Sequence, residues 1–275
     1  MKDECFKSTP TGYLDPEAQD IPIFSAIDSY IKNYERISSD HLESYANHGV
    51  NPFMAEDFWV ECEDSTAKLI ESYTPKDGKV LDVGCGMARL LSRVPQFSRY
   101  GMDISSGYLK VASETGVKLC LAKVEEMPFV DGFFDTVVCT DVLEHVLDLN
   151  VAVKQLFRVT KSGGKLIIRV PYRENLSLYL NPEYPYDLAH LRNFDEHGIT
   201  LLCEKVFGQQ VEYIEFGPYI IDPGFLKFTV QGRGVGFLFR LFFRVLRLFP
   251  ETIFKAAVVR ILKPVEFQIV VSVTH

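Results

Sequence analysis

The sequence predicts an α/β fold built around an open sheet of seven mostly parallel strands, with helices on both faces. Short apolar runs alternate with helical stretches from residue 79 onwards, which is typical of βαβ units. These runs are continuously apolar, as strands buried on both faces usually are. The first of them leads directly into a glycine-rich bend, in VLDVGCGMARLL at 80–91. Open α/β sheets bind their ligands at such a bend.

The N-terminal segment carries helical patterns. In NPFMAEDFWVECEDSTAKLIESY, Asn51 suits an N-cap, Pro52 suits the first helical position, and early acids suit the positive end of the helix dipole. We expect residues 1–74 to form a helical lid.

The core of the domain is predicted at 75–216, with one further strand at 265–275. The predicted strands lie in KVLDVG, RYGMDI, VKLCLAKV, FDTVVCTDV, GGKLIIRVP, QQVEYIEFG and VEFQIVVSVTH, and one helix lies in LNVAVKQLFRVT. The segment 217–264 breaks this alternation of strands and helices. We therefore interpret it as an insertion before the last strand.

Composition limits the classes of partner and compartment. With 29 Lys and Arg against 37 Asp and Glu, the net charge is −8, whereas binding to nucleic acid phosphates needs clustered cations. The six cysteines include no CxxC pair, so free thiols in a reducing compartment are expected. The N-terminus lacks the apolar region of a signal peptide, and no apolar run reaches the roughly 18 residues of a membrane span. We expect a cytoplasmic protein.

The residues of the glycine-rich bend distinguish two classes of ligand. A dinucleotide favours G-x-G-x-x-G, in which the third glycine allows close helix packing and the helix N-terminus faces the pyrophosphate. Here Arg89 occupies the third glycine position, and Asp82 places a carboxylate where a pyrophosphate would be repelled. We therefore expect a nucleoside that carries an amino acid, and not a nicotinamide dinucleotide.

Four segments in this order resemble the class I S-adenosylmethionine (SAM) dependent methyltransferases, especially the small-molecule branch that includes quinone-biosynthesis enzymes. They are VLDVGCG, GMDIS, EEMPFVDGFFDTVVCTDVLEHV and SGGKLIIRVP, within residues 80–194. The resemblance implies a Rossmann-like fold and an enzyme that uses SAM as cofactor. It also implies S-adenosylhomocysteine (SAH) as product and a small molecule as methyl acceptor.

The resemblance assigns the cofactor contacts residue by residue. It implies contacts to the methionine part from Asp82, Gly84, Cys85 and Gly86, to the ribose from Asp103 and Ile104, to the adenine from Val124 and Glu125, and to the cofactor's amino group from the carbonyl of Thr140, with His145 nearby. Lys123 departs from the family, which commonly has an acid there, so recognition of the adenine amino group is expected to pass to Glu125 or to backbone. Cys85 is interpreted as a small residue that fits a tight bend and not as a nucleophile.

Methyl transfer from a sulfonium mainly requires an aligned acceptor and exclusion of water. A base is needed only when the acceptor must lose a proton, and His145 and His190 are the candidates. Substrate contacts are predicted for Tyr172, Tyr179, Tyr184, Tyr186 and Arg192, which follow the fifth strand. The alternative is that the tyrosines only pack a loop. No metal is predicted, although Asp141, Glu144 and His145 could ligate one, because family members with the same letters need none.

The insertion contains GFLFRLFFRVLRLF at 236–249, in which Arg240, Arg244 and Arg247 recur at spacings of four and three. On a helix they share one stripe, and the remaining surface is apolar. Peripheral contact with a membrane surface is one interpretation, and it would suit a hydrophobic acceptor. The other is a helix packed on its own domain with solvated arginines.

Other functions stay open at this point. One alternative is methylation of a protein or RNA target, and another is a non-catalytic methyltransferase-fold protein that acts as a scaffold. DNA is not expected as a partner, because Thr140-Asp141-Val142-Leu143 stands where amino-methylating nucleic-acid enzymes of this fold carry an Asn/Asp-Pro-Pro-aromatic motif.

Overall fold

The computed structural model describes residues 4–18, 20–49, 51–53, 55–221 and 262–275. Contacts divide the chain into two units, one comprising Met1–Glu215 with Phe267–His275 and the other comprising Phe216–Glu266. The first unit contains the sheet and its helices.

Six α-helices and eleven strands occur among the described residues. The helices are α1 (Ser29–His48), α2 (Glu56–Tyr73), α3 (Arg89–Ser92), α4 (Ser106–Ala112), α5 (Leu149–Val159) and α6 (Glu196–Leu201). The strands are β1 (Gly12–Tyr13), β2 (Pro22–Ile23), β3 (Lys79–Val83), β4 (Ser98–Asp103), β5 (Lys118–Leu121), β6 (Phe134–Thr140), β7 (Thr160–Pro171), β8 (Gln210–Phe216), β9 (Tyr219–Ile221), β10 (Leu262–Pro264) and β11 (Glu266–Ser272).

The main sheet has the strand order β1-β2-β5-β4-β3-β6-β7-β11-β8. Strands β2, β5, β4, β3, β6 and β7 pair in parallel, so the predicted α/β class and mostly parallel sheet are confirmed. The order reverses at β3, whose neighbours are β4 and β6. Ligands of open α/β sheets bind at the carboxyl ends of strands beside such a reversal.

All seven predicted strands are present, but the sheet of the described residues has nine. The additional strands β1 and β2 pair with each other and join β5. They lie in the N-terminal segment that was expected to be helical, and each has only two residues. Such short strands leave no periodic pattern in a sequence.

The second N-terminal helix starts later than predicted. Helix α2 begins at Glu56 with Ala55 as N-cap, and not at Asn51. The side chain of Asn51 instead accepts a hydrogen bond from the backbone N–H of Phe53 at 2.8 Å. Asparagine commonly makes this local turn contact outside helices, which explains the difference.

The central strands form the buried core that supports the site. In β3 and β6, the side chains of Val80, Leu81, Val137 and Val138 are fully buried. Burying a side chain of this size contributes about 1.5–3 kcal/mol. The carboxyl ends of these strands are therefore held on a rigid base.

In the second unit, β9 pairs antiparallel with β10, and Ile221 lies opposite Leu262. The predicted basic helix at 236–249 lies outside the described residues. Among the residues that the structure describes, no helix is long and apolar enough to cross a membrane.

Candidate active site

Strand β3 ends in the glycine bend, residues 84–86. Gly84 and Gly86 have φ of +76° and +50°, in the left-handed region that glycine adopts without strain. A Cβ on Gly84 would lie 2.2 Å from Cγ2 of Val142, so the loop after β6 packs directly on the bend. A Cβ on Gly86 would meet no atom of the described residues within 4 Å. The backbone of Gly86 therefore borders open space that a ligand can fill.

Asp82, near the end of β3, carries an unsatisfied carboxylate. Its side chain is buried, and within the described part of the chain its Oδ1 has no hydrogen-bond partner. Burial raises the pKa of Asp82 to about 7, although Arg169 opposes the shift. Buried polar atoms are nearly always paired in folded proteins, so this oxygen suits a ligand that brings a hydrogen-bond donor.

Asp103, the last residue of β4, connects the glycine bend to the neighbouring strand. Its Oδ2 accepts the backbone N–H of Gly86 and its Oδ1 that of Ser105, both at 2.8 Å. A carboxylate has about four lone-pair sites, so two remain for ligand hydroxyls. Burial raises the pKa of Asp103, and the backbone donors oppose this shift.

Cys85 and Arg89 complete the bend. Burial raises the pKa of the Cys85 thiol well above its usual value, so it stays protonated. Arg89 donates to Glu63 at 2.8 Å and to Glu56 at 2.7 Å, and its guanidinium carbon lies 4.0 Å from the ring centroid of Trp59. The cation at the third glycine position thus attaches α2 to the bend, a role that the sequence pattern did not reveal.

An aliphatic cavity of about 220 Å³ adjoins Ile104. Its walls include Ile23, Ile27, Ile31 and Leu121, together with side chains of α1. Ile104 directly follows Asp103, the last residue of β4, so the cavity adjoins the carboxyl end of that strand. Its surface is mostly apolar. A flat, weakly polar ring system would fit such a space.

The residues predicted on the adenine side are engaged with other elements. Val124 is buried, and Oε1 of Glu125 accepts the backbone N–H of Asp148, the N-cap of α5, at 3.3 Å. Lys123 forms an ion pair with Asp28, the N-cap of α1. The lysine that departs from the family pattern therefore holds the start of α1.

Helix α1 docks beside Asp103 through Glu35. The carboxylate of Glu35 accepts the backbone N–H groups of Ser106 at 2.8 Å and of Gly107 at 3.0 Å, at the N-terminus of α4. The hydroxyl of Ser105 donates a hydrogen bond to the hydroxyl of Ser38 at 2.6 Å. These contacts span about 70 residues of chain, so no local sequence pattern could have identified Glu35.

His145 and His190, here called the imidazole pair, meet edge to face with ring centroids 4.5 Å apart. Nδ1 of His145 lies 2.9 Å from Oη of Tyr34 on α1. Burial lowers the pKa of His145 to about 3, so its imidazole is neutral near pH 7. Nδ1 of His190 contacts the carboxylate of Glu174. The structure thus brings both predicted catalytic histidines together.

Three of the four predicted tyrosines lie beside the imidazole pair. The ring of Tyr179 is 4.9 Å from that of His190 and 5.1 Å from that of Tyr184, and Tyr184 is 5.8 Å from Tyr186. Tyr172 instead packs against Phe267, with centroids 5.6 Å apart. The chemistry of the three clustered rings suits contact with a planar or apolar ligand.

Arg192 and Thr140 frame the loop that carries His145. The guanidinium of Arg192 donates to the carbonyls of Leu143 at 2.8 Å and Val146 at 2.5 Å, which stabilises the loop. Thr140 ends β6, and Asp141 follows it with φ of +56°. The carboxylate of Asp141 pairs with the buried Arg169 at 2.7 Å.

Comparison with known proteins identifies this part of the chain. Residues 81–168 match the methyltransferase domain family. This segment of the chain is similar to that family. The resemblance inferred from the four motifs is thereby confirmed, and this domain holds the glycine bend, Asp103 and His145.

Curated relatives share parts of this methyltransferase domain. An uncharacterized protein of Methanocaldococcus jannaschii is 39% identical over 114 residues, which are 42% of this chain and 50% of that protein. A tRNA (carboxymethyluridine(34)-5-O)-methyltransferase of Arabidopsis thaliana is 33% identical over 38% of this chain and 26% of its own length. A 2-methyl-6-phytyl-1,4-hydroquinone methyltransferase of Synechocystis is 28% identical over 53% and 52%. The chain thus spans about half or less of each of these relatives.

Solved structures share the fold of the domain. A SAM-dependent methyltransferase of Thermotoga maritima, described as a possible histamine N-methyltransferase, has a TM-score of 0.55 at 16% identity and covers 88% of this chain and 99% of its own. Phosphoethanolamine N-methyltransferase 2 of Haemonchus contortus, solved with SAH, has a TM-score of 0.56 at 18% identity and covers 90% and 61%. At these identities the likeness shows the Rossmann-like fold.

Proposed function

We propose that this chain is a SAM-dependent methyltransferase that acts on a small molecule with a hydrophobic portion. The observation that carries the proposal is the pairing of a buried, unsatisfied Asp82 carboxylate with open space at Gly86, inside a methyltransferase domain. An amino acid attached to a nucleoside is the ligand that satisfies both features.

The residues present fit SAM. The unpaired oxygen of Asp82 suits its ammonium group, the remaining lone pairs of Asp103 suit the two ribose hydroxyls, and the aliphatic cavity beside Ile104 suits the adenine. When bound, SAM supplies an electrophilic methyl group on a sulfonium. The protein's task is then to orient an acceptor and to exclude water.

The acceptor side of the proposal rests on the residues around the imidazole pair. Val142 packs on Gly84, and His145 follows one turn later, so the pair begins next to the glycine bend. The imidazoles can accept a proton from a hydroxyl or amine of the acceptor, as general bases do. Helix α1, held by Glu35 and Tyr34, covers this region and limits access of water.

A small-molecule acceptor is favoured over RNA by the charge of the chain. One relative acts on tRNA and another on a phytylhydroquinone by their names, so both classes have relatives. The net charge of −8 opposes binding to RNA phosphates. The aliphatic and aromatic residues near the site suit an apolar acceptor better.

The experiment is a transfer assay with methyl-labelled SAM. The purified chain is incubated separately with a lipid extract, with total tRNA and with the protein fraction of the same cells. We expect label in the organic phase of the lipid incubation. Label confined to tRNA or to protein would replace the proposed acceptor class, and the absence of SAM or SAH binding by the folded chain would contradict the methyltransferase function itself.

Peripheral membrane contact through residues 236–249 belongs to the same proposal. A membrane-resident acceptor would account for a basic, apolar segment, and each arginine gains on the order of 1 kcal/mol near an anionic surface. We expect the chain to float with anionic vesicles at low salt, and to lose this binding when Arg240, Arg244 and Arg247 are changed to Glu. Absence of wild-type flotation at low salt would contradict the membrane contact and leave the methyl transfer proposal standing.

A further inference from the structure

Glu144, His145 and His190 bring three potential ligand atoms together beside the methyltransferase site. One atom from each residue lies within 4.8 Å of the other two. Glu144 is almost completely buried and both histidines are half-buried. Two imidazoles and one carboxylate form the three-residue ligand set of many sites that keep open positions on the ion.

The contacts of His145 show which of its ring nitrogens faces Glu144. Nδ1 of His145 contacts the carbonyl of Ala189 at 3.3 Å. Oη of Tyr34 lies closer to the same nitrogen, at 2.9 Å, so both partners engage Nδ1 and leave Nε2 on the side of Glu144. Nε2 lies 3.7 Å from Oε1 of Glu144. An imidazole nitrogen and a buried carboxylate oxygen thus face each other, as two ligands of one cation would.

The distance between these two atoms agrees with a shared metal ion. Zinc-class ions lie about 2.0–2.2 Å from nitrogen and oxygen ligands, so two ligands in a tetrahedral site are about 3.3–3.6 Å apart. The 3.7 Å between Nε2 of His145 and Oε1 of Glu144 is close to this range. Small side-chain rotations would bring both atoms onto one ion.

His190, like His145, has a partner on its Nδ1. Its Nδ1 contacts the carboxylate of Glu174, which leaves Nε2 for an ion, and Tyr179 donates to the other oxygen of Glu174 at 2.6 Å. Histidines that bind metals almost always have such a partner on the second nitrogen. Tyr34 and Ala189 contact Nδ1 of His145 in the same manner.

We propose that Glu144, His145 and His190 bind a divalent transition-metal ion of the zinc and cobalt class. Two imidazole nitrogens select such ions over magnesium and calcium, which prefer oxygen ligands. The site differs from the cluster considered in the sequence, because Asp141 pairs with Arg169 and His190 takes its place. This inference departs from the prediction that no metal is bound.

Metal binding is a property beyond the proposed function. The role of the bound ion in methyl transfer, by contrast, rests on that function. Three protein ligands leave at least one position open on a tetrahedral ion. A hydroxyl of the acceptor in that position would lose its proton more readily. The proton could then pass to water, because the metal-bound hydroxyl is more acidic.

The test uses the untagged full chain, freed of metal with a chelator and titrated with CoCl₂ while the visible absorption of bound Co²⁺ is followed. We expect one Co²⁺ per chain with the absorption of a tetrahedral site. His190→Ala should abolish this signal. Glu174→Gln should weaken binding roughly 10- to 100-fold, as loss of an orienting partner usually does.

His197→Ala is the matched control. His197 lies with Asp195 and Glu196 in the second acidic and histidine cluster of the described residues, and its side chain is 77% exposed. Its loss should not change the signal. Absence of Co²⁺ binding, or equal binding by His190→Ala, would overturn the metal site. Calorimetry with SAH on the same samples separates this outcome from failure of the proposed function, because SAH binding does not depend on His190.

Discussion

The glycine bend and the imidazole pair lie next to each other, and the chain builds them in different ways. The bend and Asp103 are set by two adjacent parallel strands, and their contacts are made largely by backbone N–H groups. The imidazole pair is held by side chains from α1 and from the loop that contains Glu174. The first is therefore a property of the sheet, whereas the second depends on distant segments docking correctly.

This difference decides what substitutions should do. A change in the bend should affect cofactor affinity with little effect on α1. A change in α1 or near Glu174 should affect the acceptor side and leave cofactor affinity nearly intact. The predictions for Asp103, Asp82 and Tyr34 test this separation in order of decreasing effect.

Asp103→Ala should have the largest effect. It removes the acceptor of two backbone N–H groups and the proposed partner of the ribose. A hydrogen bond to a charged group contributes about 1.5–3 kcal/mol, so loss of even one such bond to the ribose should lower SAH affinity roughly tenfold to a hundredfold or more. Calorimetry measures this directly.

Asp135→Ala is the matched control for Asp103→Ala. Asp135 lies in β6 and also accepts a backbone N–H, from Lys79 at 2.8 Å, but at the opposite end of β3. Its loss should lower stability without changing SAH affinity. Equal loss of SAH affinity in both variants would mean that Asp103 acts only through folding.

The pKa of Asp82 predicts a pH effect of about tenfold. If the ammonium group of the ligand pairs with ionised Asp82, whose pKa is raised to about 7, SAH affinity should rise about tenfold from pH 6 to pH 8. Asp82→Asn should show a flat profile over this range. If the variant showed the same pH profile as the wild type, Asp82 would be excluded as the source of the pH dependence.

The same shift has a consequence for the free protein. The folded chain holds the Asp82 proton more tightly than the unfolded chain does, so stability is highest below about pH 4 for this group and is lost as pH rises through about 7. Asp82→Asn should remove this contribution. Denaturant unfolding at pH 5 and pH 8 measures it, and an equal change in wild type and variant would contradict the assignment.

Tyr34→Phe should have the smallest effect. It removes the hydroxyl that lies 2.9 Å from Nδ1 of His145, at a cost of about 0.5–1.5 kcal/mol in stability. SAH affinity should change by less than about threefold, which corresponds to roughly 0.7 kcal/mol. A larger loss of SAH affinity would show that the acceptor side and the bend are not independent.

The comparison also explains which parts of the site the sequence could predict. Asp82 and Asp103 lie at the ends of β3 and β4, and Gly84 and Gly86 follow β3 directly, so motif spacing located them. Glu35, Tyr34 and Glu174 were missed because their partners are distant in the chain, and neither helical periodicity nor residue type indicates such contacts. The sequence showed Arg89 only as a replacement for the third glycine. Its role in attaching α2 to the bend depends on Glu63 and Trp59, which are distant in the chain.

The most direct test of the cofactor-binding bend compares Gly86→Ala with Gly116→Ala. Both glycines have positive φ, and in the part of the chain that the structure describes a Cβ at either would meet no atom within 4 Å. The backbone strain is therefore matched, at about 1–2 kcal/mol for a left-handed alanine. Gly116 precedes β5 and so lies at the amino ends of the parallel strands, whereas the bend lies at their carboxyl ends.

The measurement is the SAH dissociation constant of the two variants by calorimetry. We predict that Gly86→Ala weakens SAH binding by at least about tenfold, because the added methyl group enters space that the ligand fills, an overpacking that costs about 1–3 kcal/mol. Gly116→Ala should bind SAH as the wild type does. Equal dissociation constants for the two folded variants would contradict the claim that the backbone of the glycine bend contacts the cofactor.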